Sequence, residues 1–115
     1  MAKKEMEFTE TDGIEWTTCE GKVPSLKEKI IVRDEANGTV SRFLKFEPGT
    51  DTSPNGILKH DCWEEVYILE GSITDLRLNQ TFSKGMYACR PPGMPHGPWV
   101  SREGCLTFEV RYMQK

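Results

Sequence analysis

Two histidines stand out in this chain, because it has only these two, and each sits in a segment whose spacing suits metal chemistry. His96 closes the stretch Gly85 to His96, GMYACRPPGMPH, where a strand runs into a rigid, proline-bound turn. His60 lies in Leu58 to Gly71, LKHDCWEEVYILEG, with Cys62 and Glu64 close by. Imidazole nitrogen combined with carboxylate oxygen suits Fe, Mn, Ni, Cu or Zn. His60, Glu64 and His96 are therefore candidate ligands of a divalent transition metal, and Cys62 is a candidate soft fourth ligand. Three protein ligands leave positions open for water or substrate, as a catalytic centre requires. Each residue also has a plain reading: a loop histidine on a carbonyl, a strand histidine at the surface, a solvated acidic corner, an inert thiol.

The elements that must bring these groups together read as short strands. Lys27 to Arg33, with Ile30-Ile31-Val32, and Thr39 to Glu47 flank Asn37-Gly38, a strong reversal signal. Thr50 to Gly56 reads as a loop. Ile57 to Cys62, Glu65 to Leu69, Ser72 to Asn79, Met86 to Arg90 and Leu106 to Met113 read as five further strands. Phe8 to Thr18 alternates weakly and suits a short edge strand. Pro91 to Pro98 lacks the N–H donors of a central ladder and reads as a loop. No window keeps a 3.6-residue apolar period. The pattern predicts an all-β protein, an antiparallel sandwich or small barrel. Residues 1–24 are expected to be an arm with that edge strand, and 25–115 a single barrel.

Composition narrows the partners. A chain of 115 residues with a formal net charge of −3 and scattered Lys and Arg offers no basic face for nucleic acid. No apolar run is long enough to span a bilayer, and the polar N-terminus does not look like a secretory signal, so no membrane and a cytoplasmic location are expected. Four cysteines, Cys19, Cys62, Cys89 and Cys105, form no C-x-x-C pair, which argues against a structural zinc knuckle and for free thiols.

With these residues in view, the chain resembles the cupin superfamily. Gly85, Pro91, Gly93 and His96 match that family's second motif, G-x5-P-x-G-x2-H-x3-N, except that Val100 replaces its final Asn. Anchoring the first motif, G-x5-H-x-H-x3-4-E-x6-G, on Gly71 places its carboxylate at Glu64 and its second His at His60. Leu58 then occupies the first His position. A second register takes His60 and Cys62 as the two His positions and Glu65 as the carboxylate. EEVYILEGSITD, the PPG-x-x-H turn and SREGCLTFEVRY look like the cupins of ChrR-type anti-sigma factors, whose relatives include small metal-dependent dioxygenases. The resemblance covers roughly residues 25–112. It implies a double-stranded β-helix, a jelly-roll-like small barrel, with the metal inside and a small-molecule pocket around it. Leu58, Arg90, Trp99 and Phe108 are expected in that pocket, and Arg90 or Arg111 can pair with a substrate carboxylate.

Three functions follow as expectations. The first is a metal-dependent, dioxygenase-like oxidoreductase acting on a small organic molecule. The second is a non-catalytic small-molecule or metal-sensing module; the roughly 25 residues before the barrel leave no room for the helical sigma-binding segment of the ChrR type. The third is a sugar or sugar-phosphate isomerase, for which Lys45, Lys59 and Arg90 are the only basic hints. A homodimer paired through edge strands is expected in each case.

Overall fold

Alternation with a period of two runs through the long strands and decides which side chains face the interior. The computed structural model describes residues 3–113. Its strands are β1 Thr17–Thr18, β2 Leu26–Asp34, β3 Thr39–Phe46, β4 Thr50–Asp51, β5 Trp63–Asp75, β6 Gln80–Ser83, β7 Tyr87–Arg90, β8 Trp99–Ser101 and β9 Cys105–Tyr112. A 3₁₀ turn at Ser53–Asn55 follows β4, and no α-helix occurs among the described residues. No described helix is long and apolar enough to cross a membrane.

All pairings are antiparallel, in the order β1-β2-β3-β9-β5-β8-β4, with β6 and β7 also paired to β5. β5 is the spine. Its first half lies between β7 and β9, and its second half pairs with β6 and β8, so the sheet curls over on itself. Gly71 makes the crossing possible. Its φ is +77°, and a Cβ there would lie 2.0 Å from the carbonyl oxygen of Gly104. Only glycine tolerates both the left-handed backbone and that approach. Leu44, Phe46, Ile68, Ile73, Trp99 and Cys105 form the buried apolar cluster at one end of the interior.

Several segments differ from the sequence-based expectation. Glu65 to Leu69 and the first half of Ser72 to Asn79 belong to the single strand β5, because Gly71 and a register shift between Ile68 and Glu70 absorb the bend without breaking the ladder, while Leu76 to Asn79 form the turn into β6. Ile57 to Cys62 is not a strand; its ladder contact is one bridge, Leu58 to His96. Leu58 and His60 nevertheless turn into the interior. β8 was not foreseen, since proline-rich sequence precedes it. The edge strand expected over Phe8 to Thr18 shrinks to β1. Whereas Cys19 to Lys22 border the interior, the arm upstream of β1 meets the outer face, where Lys29 Nζ donates to the Thr11 carbonyl at 3.0 Å. Trp16 lies there beneath Lys29 and Lys45, at 4.9 and 4.4 Å from its ring centre. Lys45 therefore points away from the interior, and Lys59 is exposed. Neither supplies the basic residues that the isomerase expectation needed.

Candidate metal centre

Three chain segments deliver the candidate ligands. Glu64 is the second residue of β5 and points inward, while its neighbour Glu65 points outward. His96 ends the proline turn, and its backbone is held against Leu58 by reciprocal hydrogen bonds of 2.8 and 2.9 Å. That pairing carries His60, two residues on from Leu58, to the same place. The His60 and His96 ring centres lie 4.8 Å apart, and His96 Nε2 is 3.9 Å from Glu64 Oε1. One ligand atom from each of the three residues falls within 4.8 Å of the others.

Outward, Glu65 accepts from the hydroxyls of Tyr87 and Tyr112. The geometry therefore favours the register built on Glu64 over the one built on Glu65. The Cys62 thiol is half-buried and does not join the cluster. Burial pushes its pKa up.

The protonation of the site suits a metal. His96 Nδ1 faces the Met94 carbonyl at 3.3 Å, which assigns the proton to Nδ1 and leaves the Nε2 lone pair free. Arg111 Nη2 lies 3.2 Å from His60 Nε2. A guanidinium only donates, so His60 Nε2 must be unprotonated and accept, and a metal would take that lone pair by displacing Arg111. Burial, and then the charge of Arg90, pushes His96 down to about 4. Burial, and then Arg111, likewise lowers His60. Both rings are thus neutral near pH 7.

Glu64 is 3% exposed and sits between two guanidiniums, with Arg90 Nη1 at 2.8 Å from Oε1 and Arg111 Nε at 2.6 Å from Oε2. Burial works to raise its pKa, but Arg111 and then Arg90 outweigh burial and hold the carboxyl well below the usual range. Two neutral imidazoles and a carboxylate fit a borderline divalent cation. Ligands bonded at about 2 Å span up to about 4 Å across an ion, so the cluster needs only slight closure. Glu64 would share its oxygens with the arginines.

The cluster opens into a cavity of about 640 Å³. Leu58, Arg90 and Trp99 line it, as expected, and Arg90 lies 5.4 Å from the Trp99 ring. Arg90 and Trp99 also border a second, mostly apolar cavity of about 210 Å³, with Phe82, Met86 and Met94. Phe108 lines neither cavity. It lies on the outer face of β9 against Phe43, with ring centres 5.4 Å apart. Of the two β9 residues expected at the site only Arg111 faces in, together with Thr107 and Glu109.

That inward face contributes to a second ionic cluster in the same cavity. Arg42 donates through Nε and Nη2 to Glu109 Oε1 at 3.1 and 2.7 Å, and through Nη1 to Glu28 at 2.7 Å. Thr107 Oγ1 donates to the other Glu109 oxygen at 2.9 Å. No local signal marks this set, because its members lie on three strands and charged residues at alternate positions normally read as solvent-facing.

A curled antiparallel barrel with inward imidazoles and a carboxylate at its centre defines a cupin with a His-His-Glu cluster that can bind a metal. Residues 4–113 match the family model of the ChrR cupin-like domain, and the chain belongs to that family. No curated protein matches it. Among solved structures it is similar to an RmlC-like cupin from Shewanella frigidimarina NCIMB 400, at 17% identity and TM-score 0.74, over 100% of this chain and 96% of that one. An acetylacetone dioxygenase from Acinetobacter johnsonii aligns at 9% identity and TM-score 0.73, over 95% and 74%. The anti-sigma ChrR, in complex with SigE from Rhodobacter sphaeroides, aligns at 18% identity and TM-score 0.65, over 88% of this chain and 51% of that one. At these identities the likeness is one of fold.

Proposed function

We propose that this protein is a metal-dependent cupin, a dioxygenase-like oxidoreductase that acts on a small organic molecule. The observation that carries the reading is the convergence of His60, Glu64 and His96 inside the barrel, with both Nε2 atoms unprotonated. These residues would hold a divalent transition metal, which supplies Lewis-acid or dioxygen chemistry when bound. The Met94 carbonyl fixes the His96 ring, and Arg111 and Arg90 fix the Glu64 carboxylate. The walls around Leu58 and Trp99 shelter the site from bulk water. The acetylacetone dioxygenase among the structural neighbours is consistent with this class of chemistry.

Elemental analysis after loading with Fe, Mn, Ni, Cu or Zn tests the site. A stoichiometric metal in the native protein and none in His96→Ala is the expected result. Turnover retained by metal-free His96→Ala would refute the proposal. A second reading, a binding module without turnover, draws on Leu58 at the fourth ligand position and on the two arginines already engaged with Glu64. It predicts ligand binding with no product.

A further inference from the structure

The ionic groups of the large cavity are balanced before any metal enters. Three carboxylates, Glu28, Glu64 and Glu109, face three guanidiniums, Arg42, Arg90 and Arg111, and every one is engaged in an ion pair. Their side chains are 4% to 27% exposed. The two imidazoles add no charge when neutral. The remaining charged residues of the wall, Glu20, Lys22 and Arg33, are exposed at the rim, where solvent screens them. A divalent cation held by His60, Glu64 and His96 therefore leaves the interior with two uncompensated positive charges. Charge buried away from water is retained only when it is paired.

The arginines also define where the compensating charge goes. Arg111 spends Nη2 on His60 Nε2, the lone pair that a metal would take. Metal uptake strips that N–H of its acceptor beside the ion. Among the described residues Arg90 spends a single N–H on a side chain, Glu64 Oε1. Guanidinium N–H groups left over beside a cation suit the planar, bidentate geometry of a carboxylate.

We infer that the cavity takes up its metal together with a small dianion bearing at least one carboxylate, of the dicarboxylate or carboxylate-enolate class, held by Arg111 and Arg90. The inference rests on the metal reading above and adds the charge and chemical class of the ligand. A neutral diketone or sugar leaves both charges uncompensated and is disfavoured.

Calorimetric titration of the full chain with Mn²⁺, alone and in the presence of malonate or of neutral malonamide, tests it. Malonate, after correction for its own chelation of Mn²⁺, is expected to tighten Mn²⁺ binding at least about tenfold, with the same factor gained by malonate from Mn²⁺. Malonamide is expected to change nothing. Arg111→Gln removes one positive charge, so malonate's advantage shrinks and acetate, a single charge, becomes effective. Arg111→Lys keeps the charge and most of the malonate effect, which separates charge from loss of fold. Equal Mn²⁺ affinity with malonate and malonamide overturns the dianion and leaves the metal site standing. Malonate binding that ignores Mn²⁺ overturns it as well. Failure of the native protein to take up Mn²⁺ under any of these conditions removes the dianion proposal, and loss of Zn²⁺ and Ni²⁺ uptake as well removes the metal reading beneath it.

Discussion

Two ionic clusters share one cavity, and their difference shows what makes a buried carboxylate a candidate ligand. Glu64 and Glu109 are each about 4% exposed, and each is gripped by guanidinium. Around Glu109, the Arg42 fork, Glu28 and Thr107 close the set with hydrogen bonds alone. Around Glu64, two imidazoles turn their Nε2 atoms inward. Lone pairs are the distinction. A cation at the Glu109 cluster would meet two carboxylates already committed to Arg42, and the Arg42 charge. At Glu64 it meets three Lewis bases, and the cost of crowding Arg90 and Arg111 is set against three coordinate bonds.

The largest contrast is expected from removing one imidazole. His96→Ala should abolish metal retention by elemental analysis, while Glu109→Ala should keep it. If both variants lose the metal together, the two clusters are not functionally separate. Stability should not separate the two clusters. Glu109→Ala orphans the buried Arg42 guanidinium, and Glu64→Ala orphans Arg90 and Arg111. Each should cost about 3–5 kcal/mol in denaturant unfolding of metal-free protein. Loss of less than about 1 kcal/mol would show that water reaches these guanidiniums.

A gain-of-function change sharpens the same contrast. Leu58 lines the cavity and is paired through its backbone to His96. Leu58→His adds a third imidazole, and so a fourth ligand, to the Glu64 cluster and should tighten metal binding at least about tenfold, about 1.4 kcal/mol. Unchanged affinity in a calorimetric titration would place that side chain out of ligand reach.

The smallest effect is expected from mild acid. His96 is lowered from 6.5 to about 4 by burial and then by Arg90. The unfolded chain therefore binds this proton more readily than the fold does. His96 imposes no penalty above pH 6.5, and stability is lost as pH falls from there toward 4. Denaturant midpoints of metal-free protein should drop between pH 7 and 5, and His96→Gln should flatten that drop. Glu64, held low by Arg111 and Arg90, adds its own loss only in stronger acid. A drop that survives in His96→Gln would point to His60 instead.

How much of this was legible beforehand follows from what is local. Strand positions from Lys27 to Glu47 were readable because β-branched runs flank Asn37-Gly38. The turn carrying His96 was readable because Gly85, Pro91 and Gly93 constrain the backbone within one short stretch. His60 and Glu64 were readable by their spacing from Gly71 in the cupin motif that the chain resembles. The inward face of β9 was not. Alternation shows that Phe108 lies opposite Glu109 and Arg111, yet it does not say which set faces in, and Phe108 and Arg111 were both expected at the pocket although one strand cannot turn both inward.

Residue types and local spacing determined by themselves that this chain makes short antiparallel strands, turns sharply before His96, and offers nitrogen and carboxylate donors from two segments. Only the tertiary structure decided that Arg90, Glu64 and Arg111 stand in one row across β7, β5 and β9, and that Arg42 meets Glu109 across β3 and β9. The physical reason is register. Cross-strand neighbours are fixed by how the curled sheet pairs, and that pairing depends on Gly71 and the bulge in β5 rather than on anything adjacent to the charges themselves.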